Sequence, residues 1–86
     1  MIHARKDYQR IQDPLTKDDK NGKGIGRDEP VFLLRAQDRL FVPMLTAYIS
    51  MAKLIGCDAT MIQMLRQHIE TAKLWQLSHP PKTPDV

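Results

Sequence analysis

Apolar residues are sparse over 1–29 and dense over 30–77, so the chain divides near residue 30. In the first stretch only Ile2, Tyr8, Ile11, Leu15 and Ile25 offer apolar anchors. Residues 16–26, TKDDKNGKGIG, read as loop: Gly and Asn are costly to order, and no hydrophobic periodicity runs through them. Such a loop is expected to move unless a ligand or a neighbouring subunit holds it. Residues 7–11 fit one helical turn before Asp13-Pro14, where the residue ahead of proline disfavours helix.

The second stretch predicts three helices. Asp28 or Glu29 can cap and Pro30 suits a first helical position, so residues 30–41 are expected to be helical, with a polar stripe at Arg35, Asp38 and Arg39. Pro43 then either kinks one long helix or separates two, because an internal proline removes a hydrogen bond and clashes with the preceding turn; a break near Phe41-Val42 is favoured. The next helix, 43–55, carries Met44, Leu45, Ala47, Tyr48, Ile49, Met51, Ala52, Leu54 and Ile55 and shows hardly any polar face. Gly56 sits where a helix terminator belongs, and Asp58 caps a third helix over 59–77. Its apolar stripe is Ile62, Leu65, Ile69 and Ala72, flanked by Met61, Met64, His68 and Trp75. The short link makes the last two helices an αα-hairpin. Residues 79–86, with three prolines, read as an extended tail.

The expected fold is therefore all-α: a polar N-terminal segment, one helix, and a helical hairpin. A chain of 86 residues buries only about 60% of its unfolded surface. Disulfides are closed to it, since Cys57 is the one cysteine, and His3, His68 and His79 show no metal-ligand spacing. A helix apolar nearly all round then needs cover from copies of the same chain, which predicts a homo-oligomer. Leu45, Tyr48, Ile49, Ala52, Ile62, Leu65, Ile69 and Trp75 are the expected interface residues. The polar first residues predict no signal peptide, no run is apolar enough for a membrane span, and one lone thiol fits a reducing compartment. The cytoplasm is the expected location.

With 13 basic and 10 acidic residues the formal charge is +3, which permits phosphate contact without demanding it. Gly22, Gly24 and Gly26, with Lys20, Lys23 and Arg27, could let backbone N–H groups converge on an anion ahead of a helix start. A plain loop is the simpler reading, because no strand precedes it and the nucleotide-binding fingerprints are absent. Arg35 and Arg39, one turn apart on a helix, could grip a phosphate; Asp38 could instead pair with Arg35. Tyr8 beside Arg5, Lys6 and Arg10 could stack on a base or pin the segment to the core. Thr60, Gln63, Arg66 and Gln67 would face DNA if the hairpin were a helix-turn-helix, although any helix–Gly–Asp–helix link reproduces that spacing. The methionines read as core filling or as an adaptable surface. No catalytic constellation assembles, no cofactor is implied, and the chain is read as non-enzymatic.

The block Ile25-Gly26-Arg27-Asp28-Glu29-Pro30-Val31-Phe32-Leu33-Leu34-Arg35-Ala36-Gln37-Asp38 resembles one found in short proteins of tailed phages and prophages, and residues 8–14 and 82–85 are similar too. The resemblance brings no activity with it. In size, hairpin content and expected oligomerisation the chain is also similar to small helical phage proteins that sequester cyclic nucleotide immune signals, an analogy at the level of fold. It implies a homo-oligomer that binds an anionic nucleotide; Tyr8, Arg10, Arg27, Arg35 and Arg39 are the residues expected to hold it, the arginines on phosphate and the tyrosine on base. The alternatives are an inhibitor or adaptor docking on a host protein through its apolar helices, and a DNA-binding regulator.

Overall fold

Pro43 settles where the first long helix begins. In a computed structural model, which describes residues 1–15 and 22–84, this helix, α1, spans Phe41–Leu54. Pro43 is its third residue, inside the first turn, where backbone N–H groups have no partner in the helix anyway. The first helical bond runs from Met44 N–H to Leu40 O (2.8 Å). Pro43 therefore neither kinks a longer helix nor starts the segment; the helix begins two residues before it.

The helix expected over 30–41 is not formed. Pro30–Val31 is extended (β2) and pairs in parallel with Ile2–His3 (β1), in the register Ile2↔Pro30 and His3↔Val31. Residues 32–35 have no regular structure. Two hydrogen-bonded turns follow, Asp38 N–H to Arg35 O (2.9 Å) and Phe41 N–H to Asp38 O (3.0 Å). The Asp38 carboxylate accepts from Leu40 N–H at 2.7 Å. A short acidic side chain that bonds its own backbone competes with helix, and Val31 and Phe32 favour extended backbone. The chain is thus mostly helical with a short strand pair, not all-α.

The described residues divide into two compact units, one within 1–33 and the other within 34–84. In the first, a 3-10 turn at Lys6–Tyr8 stands where a helical turn is expected over 7–11. The Met1 ammonium donates to Gly26 O (2.9 Å), Arg27 O (3.2 Å) and Gln12 Oε1 (3.0 Å). Gln9 and Gln12 donate back to Met1 O, at 3.0 and 3.1 Å. The expected loop over 16–26 falls outside the described residues at 16–21; residues 22–26 are in neither helix nor strand.

In the second unit α1 is followed by α2, Ala59–Ser78. The link closes as the sequence predicts. Gly56, at φ +78°, follows the last turn; its N–H bonds Lys53 O (3.1 Å), and Cys57 N–H bonds Ala52 O (2.9 Å). These two bonds form a Schellman motif. Asp58 caps α2 by accepting from Thr60 N–H at 2.7 Å. Ile49, Ala52, Ile62 and Ile69 form the buried cluster of the hairpin, with Val42, Leu45, Cys57 and Leu65 packed against it. At the far end of α2, His79 stacks on Trp75, with ring centres 4.1 Å apart. The tail is tied down at Lys82, whose N–H bonds Gln37 O (2.7 Å) and whose O accepts from Arg39 N–H (2.8 Å); nearby, Gln76 Nε2 of α2 donates to Ala36 O (2.8 Å). No helix among the described residues is long and apolar enough to cross a membrane.

Candidate functional site

The five residues expected to hold an anion are divided between the units: Tyr8, Arg10 and Arg27 in the first, Arg35 and Arg39 in the second. Tyr8 is only 8% exposed, meets His3 edge-on with ring centres 6.5 Å apart, and lies under the Arg5 guanidinium at 5.3 Å. That ring pins the segment; it is not free to stack on a base. Arg10 donates to Asp7 O. The exposed Arg27 has its carbonyl turned to the Met1 ammonium. Arg35 and Arg39 do not share a helix face, since no helix carries them. Arg39 donates instead to Thr83 Oγ1 (3.1 Å) and holds the tail.

Two carboxylates in the first unit are electrostatically set. Asp7 lies below its ordinary pKa chiefly because Arg5 donates two hydrogen bonds to it, each 3.0 Å. Asp13 is lowered by the N–H groups of Ile25 (2.8 Å) and Leu15 (2.9 Å), helped by the Met1 ammonium. Both arrangements are internal clasps. His3, buried, donates from Nε2 to Ile11 O at 2.6 Å while its Nδ1 meets no partner. No group of three or more potential metal ligands occurs among the described residues.

The hairpin itself carries the more informative surfaces, one on each flank of its core. On one flank Thr46, Ser50 and Lys53 of α1, spaced four and three apart, face Gln63, Arg66, Glu70 and Lys73 of α2 across an open groove of about 600 Å³. Ile49 and Ile69 form its floor. The Thr46 and Ser50 hydroxyls donate back to Val42 O (2.7 Å) and Thr46 O (3.3 Å), which leaves only acceptor capacity facing outward. Glu70 and Lys73 pair at 3.4 Å. Lys53 and Arg66 make no ion pair or side-chain hydrogen bond among the described residues.

At 100° per residue, the other flank of α1 carries Met44, Tyr48, Met51 and Ile55, and the other flank of α2 carries Met61, Met64, His68 and Trp75. Most of these side chains stay exposed: Tyr48 by 49%, Met51 by 56% and Ile55 by 80%. The expected interface residues divide between the interior of the hairpin and this surface. Leu45, Ile49, Ala52, Ile62, Leu65 and Ile69 pack inside the hairpin, because the shortest way for two amphipathic helices to bury those stripes is against each other. Tyr48 and Trp75 remain on the surface.

No match to this chain is found among protein-family models, curated proteins or solved structures.

The groove residues were within reach of sequence reading. Thr46, Ser50 and Lys53 repeat at helical spacing, as do Gln63, Arg66 or Gln67, Glu70 and Lys73. The apolar density of α1 hid the first strip. The helix-turn-helix reading takes Gln63, Arg66 and Gln67 as facing DNA; all three are exposed and line the open groove beside α1.

Proposed function

We propose that this protein is a non-enzymatic, homo-oligomeric binding protein that captures an anionic nucleotide, with the hairpin at the centre of the assembly. The observation that carries the reading is the apolar flank. Met44, Tyr48, Met51 and Ile55 follow one another at spacings of four, three and four, the seam spacing that lets one helix pack along another. No charged residue interrupts that seam. With Met64 and Trp75, its exposed area is on the order of the 800 Å² that each partner contributes to a standard specific interface. An uncharged seam offers no ion pairs that would select a different partner, and a second copy supplies the same surface by two-fold symmetry. Capture by sequestration needs slow release and no catalytic group. On the resemblance to short phage proteins, the captured nucleotide would be a host defence signal and the oligomer its sink.

Static light scattering of the purified chain tests the assembly. The expected result is a multiple of the 9.9 kDa chain mass at micromolar concentration; a stable single chain overturns it. The ultraviolet spectrum of the supernatant after heat denaturation tests the ligand: a nucleobase spectrum supports capture, and a blank from protein freshly prepared from infected cells counts against it.

The methionine content of the same flank, Met44, Met51, Met61 and Met64, favours a second reading, an adaptor or inhibitor that docks on a host protein. Thioether side chains repack against varied surfaces at low cost. In that case the purified chain is monomeric and a host protein, not a nucleotide, accompanies it.

A further inference from the structure

The groove on the polar flank of the hairpin has a chemistry of its own. Its two ends differ. Toward the far end of α2 the Glu70–Lys73 pair is locally neutral. Toward the link, Lys53 on one wall and Arg66 on the other make no ion pair among the described residues; the one carboxylate of the lining, Glu70, stands one turn from Arg66 and pairs with Lys73. An anion that enters the groove is attracted by both of these cations. Arg66 can offer a forked pair of donors to a phosphate, and Lys53 a point charge.

The remainder of the lining is uncharged. Gln63 and Gln67 each present an amide with both donors and an acceptor, the equipment needed to meet the edge of a nucleobase. The buried Ile49 and Ile69 side chains give an apolar floor on which a flat ring can rest. The volume, about 600 Å³, lies within the range of small-ligand sites. The groove is concave and bounded by both helices, so it suits a compact ligand; reading a DNA major groove needs a helix that protrudes.

We propose that this groove is the anion site of the protein, with the phosphate of a mononucleotide-sized ligand held between Lys53 and Arg66 and its ring seated over Ile49 and Ile69. The proposal rests on the reading above that the ligand is an anionic nucleotide, and it places that ligand on α1 and α2 instead of on Tyr8, Arg10, Arg27, Arg35 and Arg39. It also fits assembly through the opposite flank, which leaves one groove open in every copy.

The test is calorimetric titration of the full-length protein with adenosine monophosphate, inorganic phosphate and a short DNA duplex, for the unaltered chain and for Lys53→Ala, Arg66→Ala and Lys6→Ala. Lys53, Arg66 and Lys6 are all exposed, so folding is not at stake, and Lys6→Ala removes the same charge elsewhere. Adenosine monophosphate is expected to bind more tightly than inorganic phosphate, and its affinity to fall about tenfold in Lys53→Ala and in Arg66→Ala while Lys6→Ala leaves it unchanged. Equal weakening by all three variants, no binding of adenosine monophosphate, or preference for the duplex overturns the proposal. Light scattering on the same samples separates the two ideas: an oligomer without nucleotide binding removes the groove and keeps the assembly, and a monomer whose binding depends on Arg66 does the reverse.

Discussion

Asp13 shows how much one side chain organises in a unit with so few apolar anchors. Its two oxygens accept from Leu15 N–H and Ile25 N–H, so a single carboxylate holds both ends of the segment between them. Those bonds favour the ionised form and place the folded pKa below the ordinary 3.8. The stabilisation is therefore fully present above 3.8 and is lost as pH falls through the lowered folded value. Amide exchange at Ile25 and Leu15 should show it: protection constant from neutral pH down to mild acid, then lost on further acidification, and lost at neutral pH in Asp13→Ala. The Asp13-Pro14 pair was legible in the sequence as a break, but the partner at Ile25 was not, because nothing local marks a bond across twelve positions. Tyr8 allowed both a stacking and a pinning role on sequence alone, and its burial decides for pinning. Tyr8→Ala should destabilise the N-terminal unit by about 2–4 kcal/mol, read as earlier loss of protection at Ile11, whose N–H bonds Tyr8 O at 2.9 Å.

Among the elements, the hairpin was legible nearly to the residue and the stretch before it was not. The reason is the range of the interactions. Gly56 and Asp58 act on backbone groups within five residues, so their types alone announce the end of α1 and the start of α2. The positive φ of Gly56 gives a clean test. An added Cβ would meet nothing within 4 Å, so any penalty in Gly56→Ala comes from backbone conformation and not from crowding. That penalty is expected to be about 1 kcal/mol. Asp58→Ala should cost a similar amount, about 1 kcal/mol, through loss of the cap. The two sites share one link, so the double variant in denaturant melts should fall short of or exceed the sum, not match it. Over 30–41 the spacing of Arg35, Asp38 and Arg39 mimicked a helix face, but Pro30–Val31 is claimed by Ile2–His3, about twenty-eight residues away. A pairing at that distance leaves no periodic trace in either segment. The groove strip at Thr46, Ser50 and Lys53 was hidden differently: three polar positions in a helix dominated by Leu, Ile, Met and Ala read as interruptions until α2 gave them a facing wall.

For the whole molecule, the decisive quantity is how much of α1 the chain covers by itself. Burial reaches Phe41, Ile49 and Ala52 and stops; no large side chain among the described residues is sealed completely, and Leu54 and Ile55 stay mostly in solvent. The core and the open flank should therefore respond differently to substitution. Ile49→Ala removes packing from inside the hairpin and should cost about 2–3 kcal/mol, toward the low side for buried aliphatic truncations because the site already borders solvent. It lowers helicity at a given temperature, whatever the state of assembly. A carboxylate at Tyr48 or Met51 touches none of that packing. Tyr48→Glu with Met51→Glu should leave the circular dichroism of the helices intact at low temperature and reduce the solution mass to one chain. If the apolar flank is where copies meet, melting of the unaltered protein also rises with its concentration, since association stabilises only the folded form, and the double variant loses that dependence. A double variant that keeps both the mass and the concentration dependence would place the contact elsewhere on the molecule, and the spacing of Met44, Tyr48, Met51 and Ile55 would then be surface without a partner.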